Sequence, residues 1–267
     1  MTCSFEPIGT FYSRASYKYE VPRQGVFFCG HPGRIELLPH KGFEMALRDL
    51  EGFERLWIIF LFHQNCGWRP TTRPPVPSEG RERVGTFASR SPYRPNPIGI
   101  SCVRLKSVEK LTLQIDEADL LNGTPILDIK PYIPKADAFP AAKAGWVDAQ
   151  LENAWFVDAS ENFRRQGDWI LEMCGWDLQS FAECQLSNFP LDGSRRRVKV
   201  DLQNRKAEIA FRTFRIDFSF DEKFRKIELQ NIRSGYTAKE LSSPEDVYGD
   251  KALHFAFLEH FAQTPKA

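Results

Sequence analysis

The hydrophobic positions fall into two regimes along the chain. In the first half, apolar runs are short and separated by Pro and Gly, as in Phe5 to Tyr12, Ile98 to Leu105, Leu111 to Ile115 and Pro125 to Ile129. These read as strands, with Asn122-Gly123 as a turn between the last two. Leu56 to Phe62 is an unbroken β-prone run of the kind buried on both faces. Phe43, Leu47 and Leu50 fall at helical spacing and predict one short amphipathic helix just before it. Strands do not alternate with long helices, so a parallel doubly wound sheet is disfavoured and a closed or nearly closed β-structure is expected.

The second regime follows a stretch marked by Pro131, Pro134, Pro140 and the alanines of 136–144. Residues 146–188 are only loosely helical in spacing. Then Phe214, Ile216, Phe218 and Phe220 alternate strictly with Arg215, Asp217 and Ser219, which predicts a strand with one buried face. A turn at Asp221 to Lys223 leads into a partner strand through Ile227 and Leu229. With Val198 to Leu202 and Ala207 to Phe211 these make a small antiparallel sheet, closed by a helix over Lys251 to Phe261. The expected organisation is mainly β: a barrel-like domain over 1–135, a partly helical connection over 136–190, and a smaller α+β domain over 191–267.

Composition narrows the class. The longest apolar run, Leu56 to Phe62, has seven residues, against roughly 20 for a membrane helix. No export leader is recognisable at the N-terminus, so a cytoplasmic protein is expected. The cysteines Cys3, Cys29, Cys66, Cys102, Cys174 and Cys184 contain no Cys-x-x-Cys pair. They read as free thiols, and no metal site is expected. A net charge of +1 is uninformative, but arginines crowd the first half, among them Arg69, Arg73, Arg81, Arg83, Arg90 and Arg94. Their planar forks suit phosphate.

Four segments are more polar or more constrained than structure alone requires. Pro22-Arg23-Gln24 sets a charge and an amide on a rigid turn. His63 and Gln64 follow a buried strand, where polar groups project from the rim of a sheet. Arg90-Ser91-Pro92-Tyr93-Arg94-Pro95-Asn96-Pro97 is stiffened by its prolines, so ordering it costs little entropy. The fourth runs from Asp119 to Tyr132. Glycine-rich dinucleotide loops, Walker loops, nucleophile elbows and His-Glu-x-x-His patterns are all missing from the sequence.

Arg90-Ser91-x-x-Arg94-Pro95-Asn96-Pro97-Ile98-Gly99 resembles the signature of the TsaA-like (TrmO) tRNA methyltransferases. Pro22-Arg23-Gln24, Trp68-Arg69-Pro70 and Asp128-Ile129-Lys130-Pro131-Tyr132 resemble further blocks of that family in the same order. The resemblance covers residues 5 to about 135. It implies a β-barrel enzyme that uses S-adenosyl-L-methionine to methylate threonylcarbamoyladenosine beside the tRNA anticodon, working as a homodimer. It implies a cofactor site lined by Pro22, Arg23, Gln24, His63, Gln64, Arg90, Ile100, Asp119, Leu120, Leu121 and Asn122. Contacts to the tRNA anticodon loop are implied for Arg94 and Asn96 and, in the C-terminal part, for the basic triplet Arg195, Arg196 and Arg197. One position departs from the family pattern: Asn122 stands where Asp is common.

The chemistry is compatible with that implication. A sulfonium cation and an ammonium suit a carboxylate such as Asp119, and ribose hydroxyls and a carboxylate suit Gln24, Gln64, Arg23 and Arg90. Asp128 and His63 are the two candidate general bases. A non-catalytic RNA-binding protein that keeps the barrel is the alternative. A hydrolase built on Cys66 and His63 is disfavoured, because their spacing on a continuing strand would separate them onto opposite faces.

Overall fold

The strands of the first half are β1 (Gly9–Tyr12), β2 (Gly33–Leu37), β3 (Arg55–Leu61), the two-residue pair β4 (Thr71–Thr72) and β5 (Val84–Gly85), β6 (Ile98–Glu109), β7 (Thr112–Asp116) and β8 (Thr124–Pro131). Six of them close into a barrel in the order β1-β2-β7-β6-β3-β8, every neighbouring pair antiparallel. The computed structural model describes residues 4–15, 17–18, 21, 32–73, 83–148, 155–187, 190–191 and 197–262. It divides into two compact units, residues 1–151 and 152–267.

The barrel has no open lumen. Phe11, Ile35, Leu56, Ile58, Val103, Leu113, Ile115 and Ile126 fill it, each at most 1% exposed. Each such side chain contributes roughly 1.5–3 kcal/mol by leaving water, and so narrow a barrel has space for side chains alone. Two glycines make the packing possible. A Cβ at Gly33 would lie 2.2 Å from the Phe11 ring, and one at Gly99 would lie 2.3 Å from the Phe60 ring.

Several expectations need correction. β3 is not buried on both faces: Leu56, Ile58 and Phe60 point inward, while Trp57, Ile59 and Leu61 are half-buried on the outer wall. The Asn122-Gly123 turn is present, but β7 and β8 are not neighbours. Its backbone bonds to β1 and the chain just after it, Gly123 N–H to Phe11 and Asn122 N–H to Ala15. The helix over Phe43 to Leu50 is broken into Phe43–Ala46 and a 3-10 turn Leu50–Gly52 by the left-handed Asp49. Phe43, Leu47 and Leu50 still pack against the barrel core. The first strand begins at Gly9 rather than Phe5.

The second unit holds β9 (Phe156–Ala159), β10 (Val198–Asp201), β11 (Lys206–Phe211), β12 (Phe214–Asp221) and β13 (Lys226–Ser234). They form one sheet in the order β10-β11-β12-β13-β9, with β9 parallel to β13 and the other pairs antiparallel. Phe214, Ile216, Phe218 and Phe220 are buried and the residues between them are half-exposed, as their alternation requires. Residues 156–186 supply β9 and two helices. Helix Glu161–Cys174 is capped by Ser160, whose side chain accepts from the Phe163 N–H, and is stopped by Gly175 in the left-handed region. Helix Leu178–Leu186 is capped by Asp177. Gln166 ties the first helix to β13 by accepting from the Ile232 N–H at 2.7 Å.

A polar knot closes the far side of this unit. His254, on helix Lys251–His260, is fully buried and stacks on Phe214 with ring centroids 4.0 Å apart. Its Nδ1 lies 2.8 Å from Ser234 Oγ and its Nε2 lies 2.8 Å from Thr213 Oγ1. Asp250 accepts from Thr213 Oγ1 at 2.5 Å and from the Tyr236 hydroxyl at 2.7 Å. Burial pulls His254 down to about 4, against the opposing pull of Asp250.

Candidate functional site

The strand registers decide which loops meet. Leu61 pairs with Ile98, Phe11 with Thr124 and Gly33 with Ile115. The ends of β1, β3 and β7 and the starts of β2, β6 and β8 therefore share one rim of the barrel. Beyond the pair Arg104–Asp116, the antiparallel run of β6 and β7 brings Ser101 to Asp119. His63, Gln64, Asp119, Leu121 and Asn122 converge at this rim. Pro22, Arg23 and Gln24 lie outside the described residues, as do Arg195, Arg196, Cys3, Cys29 and Arg81; Val21 and Pro32, on either side of the first of these gaps, belong to the same β1–β2 connection.

Asp119 is held by a hydrogen bond from Ser101 Oγ. Ser101 is itself buried, an inward polar position on an apolar strand face. That misfit within Ile98-Gly99-Ile100-Ser101-Cys102-Val103 is the signal that marks it in the sequence. Asn122 Oδ1 accepts from the Ser13 N–H at 3.1 Å, so the amide locks the 117–123 loop to the segment after β1. The Leu121 carbonyl accepts from Thr124 Oγ1 at 2.7 Å. Leu120 points into the barrel core and can present only its backbone to a ligand. Ile100 sits on the outer wall, 45% exposed.

His63 is at the surface of the rim. Partial burial lowers its titration below the ordinary histidine range, Lys18 adds to that, and the Leu61 carbonyl opposes it. The imidazole is therefore neutral at pH 7 and able to accept a proton. Lys18 Nζ donates to the Gln64 carbonyl at 2.9 Å, and the exposed Gln64 side-chain amide has no hydrogen-bond partner among the described residues. Cys66 is exposed in the turn after β3, and no hydrogen bond joins it to His63.

At the base of the 117–123 loop, Glu117 adopts φ 59° and is buried between two arginines. Arg55 Nη2 is 2.8 Å from Glu117 Oε2 and Arg104 Nε is 3.1 Å from Oε1. Burial disfavours the charge on Arg55, but Glu117 outweighs it and holds the guanidinium more firmly protonated. An acid sealed between two cations fixes the exit angle of the loop that bears Asp119.

The proline-stiffened loop braces itself. Arg94 Nη1 donates to the carbonyls of Thr86 at 3.1 Å and Ser89 at 2.8 Å. Arg69 lies over the Tyr93 ring with Cζ 4.6 Å from its centroid, and the Trp146 indole N–H donates to the Ala88 carbonyl at 2.8 Å. Arg94 is thus an internal tie, whereas the exposed side chains of Arg90 and Asn96 carry no such bonds among the described residues. Asp128 is apart from all of these. It lies on the outer wall opposite Ile59, 2.7 Å from Lys130 Nζ, and its other oxygen accepts from the Ile129 N–H. Arg197 belongs to the second unit, where its carbonyl accepts from the Ala210 N–H. Among the described residues no group of three or more His, Cys, Asp or Glu is placed to hold a metal ion.

The model of the tRNA-methyltransferase O N-terminal domain matches residues 10–138. The tRNA (adenine(37)-N6)-methyltransferase of Escherichia coli is 44% identical over 151 residues, covering 54% of this chain and 64% of that protein, just under two thirds. RcsF of Pseudomonas aeruginosa, named provisionally as an S-adenosylmethionine-dependent methyltransferase, is 42% identical over 62% of this chain and 72% of its own. A crystal structure of TrmO from Pseudomonas aeruginosa superposes with a TM-score of 0.63 at 31% identity, covering 88% of this chain and 99% of that one.

Proposed function

The chain belongs to the tRNA-methyltransferase O family, and from that premise we propose that it is an S-adenosyl-L-methionine-dependent tRNA methyltransferase. Its acceptor is the exocyclic nitrogen of threonylcarbamoyladenosine beside the anticodon. The observation that supports the reading is the braced carboxylate of Asp119 on the rim of a filled barrel, at the end of the strand that Ser101 shares with it.

The residues present fit the cofactor. The packed lumen excludes it from the barrel interior, so the rim is where it binds. Asp119, aligned by Ser101, suits its cationic groups. Arg90 suits its carboxylate and Gln64 its ribose hydroxyls. Asn122 and Leu121 supply backbone and amide contacts. When bound, the cofactor supplies an electrophilic methyl group on a sulfonium.

The protein's own contribution is positioning and proton handling. Methyl transfer needs donor and acceptor in line, so preorganised loops are the main demand. The Arg94 ties and the Glu117 clamp meet that demand by fixing two loops before anything binds. The acceptor nitrogen is amide-like and must lose its proton. Neutral His63 at the rim is the better-placed base; Asp128 is committed to Lys130 on the outer wall. Asn96, on the braced loop, and the triplet Arg195 to Arg197 are proposed to meet the tRNA, while Arg94, expected to do so from the sequence, serves to hold the loop.

Calorimetry tests the cofactor site. S-adenosylmethionine is expected to bind the wild-type protein, and Arg90→Ala to bind it about tenfold more weakly, the loss of a charge-assisted hydrogen bond at a partly open site. Tight RNA binding with no heat from S-adenosylmethionine would instead make the chain a non-catalytic RNA-binding protein.

We propose further that it acts as a cytoplasmic homodimer. The outer wall of β3 and β6 supports the dimer, since it presents Ile100 with the half-buried Trp57 and Ile59. Light scattering should give about twice the chain mass of 30.8 kDa; a monomer mass removes the proposal. No helix of the described residues is long and apolar enough to cross a membrane, and a tRNA substrate makes the cytoplasm the compartment of work.

A further inference from the structure

Two large aromatic side chains stand in solvent beside the braced loop, and nothing in the cofactor site uses them. Phe87 is 76% exposed and Trp68 is 54% exposed. They flank one hydrogen bond: Thr86 Oγ1 donates to the Arg69 carbonyl, Trp68 precedes Arg69, and Phe87 follows Thr86. The backbone around them is held from several sides. Arg69 N–H donates to Tyr93 at 3.1 Å and Thr86 N–H to Pro70 at 3.0 Å. Arg83 grips the Thr71 side chain and carbonyl, both at 2.8 Å. The Trp146 indole holds Ala88. Exposing apolar rings on so rigid a support costs solubility without stabilising the fold, which is the mark of a contact surface.

The charge around the rings selects the partner. From residue 68 to residue 97 the sequence carries Arg69, Arg73, Arg81, Arg83, Arg90 and Arg94 against Glu79 and Glu82, a net positive stretch. The guanidinium of Arg94 lies 5.7 Å from the Phe87 centroid, beneath a ring whose other face is open to solvent. Aromatic faces interleaved with arginines suit a polyanion that also offers flat, unstacked bases, namely a single-stranded RNA loop. A net positive surround favours such a polyanion over a neutral protein face.

We propose that Phe87 and Trp68 form a base-stacking platform for unstacked nucleotides of an RNA loop, with the exposed Arg73 and Arg90 taking the backbone. This rests on the reading of the chain as a tRNA enzyme and adds to it the residues that hold the loop open beside the reaction site. Stacking is tolerant of base identity, so the platform grips the loop without reading its sequence.

Fluorescence anisotropy with the full-length protein tests this on two probes: a 17-nucleotide anticodon stem-loop RNA and a blunt RNA duplex without a loop. Phe87→Ala and Trp68→Ala should each bind the stem-loop about tenfold more weakly, the effect of losing one base–aromatic stack. Duplex binding and S-adenosylmethionine binding should be unchanged, and Phe87→Tyr should retain wild-type affinity. Stem-loop binding equal to wild type in both alanine variants overturns the proposal. So does an equal loss on stem-loop and duplex, and so does a change of molar mass by light scattering, which would make the rings an interface between copies. Failure of methyl transfer by the wild-type protein would sink the enzyme reading while leaving the stem-loop to duplex comparison to decide the platform.

Discussion

Asn122 shows how a residue change can preserve geometry while altering charge. Its Oδ1 accepts from the Ser13 N–H, a task that a carboxylate oxygen performs equally well. Asn122→Asp should therefore keep the loop in place and add a negative charge beside a cationic cofactor. At low ionic strength S-adenosylmethionine should bind up to about fivefold more tightly to this variant, the scale of roughly 1 kcal/mol for unit charges near 4 Å in water. The gain should fade with added salt. Calorimetry at two salt concentrations reads both effects, and weaker binding at low salt would mean that the amide itself contacts the cofactor. Ser101 and Glu117 belong to the same scale. Neither carries a motif, yet one aligns Asp119 and the other anchors the loop, because both are polar groups sealed where only a specific partner compensates them.

Among the elements, the helix Lys251–His260 is joined to the second unit's sheet through His254, with Ser234 and Thr213 on its two ring nitrogens. Asp250 and Asp246 favour protonation of this ring and Arg215 opposes it, but burial dominates and lowers it to about 4. Since the folded value lies below the ordinary 6.5 of the unfolded chain, the unfolded state binds more protons between those limits. The stability contributed by neutral His254 is thus complete above about pH 6.5 and is lost as the pH falls towards 4. At about 1.4 kcal/mol per pH unit the loss is of order 2–3 kcal/mol. Thermal melts between pH 7 and pH 4.5 should show the wild type losing stability faster than His254→Asn, which begins lower but has the flatter slope. Parallel slopes would show that the ring titrates normally.

For the whole molecule, what was legible in the sequence follows the range of the interactions involved. The alternation of Phe214 to Phe220 and the Asp221 turn are local signals and appear as read. The stiff loop of 90–97 was legible because proline acts on its own backbone, and the structure adds the Arg94 ties that complete it. Closure of the barrel is expected from the succession of short strands without alternating helices, but its strand order is not, because pairing of β1 with β8 or β3 with β6 joins residues far apart in the chain. The Asn122-Gly123 turn is legible but its partners, Ala15 and Phe11, are not, for the same reason. Strand β9 escaped notice because a four-residue parallel edge strand carries little periodicity. The filled lumen is a property of closure alone.

The most direct measurement is methyl transfer itself, followed by nucleoside mass spectrometry on tRNA incubated with the purified protein and S-adenosylmethionine. With tRNA carrying threonylcarbamoyladenosine, one methyl group is expected on that nucleoside beside the anticodon, and none on the same tRNA lacking the threonylcarbamoyl group. Methylation elsewhere in the tRNA, or none despite calorimetric binding of S-adenosylmethionine, would contradict the assignment.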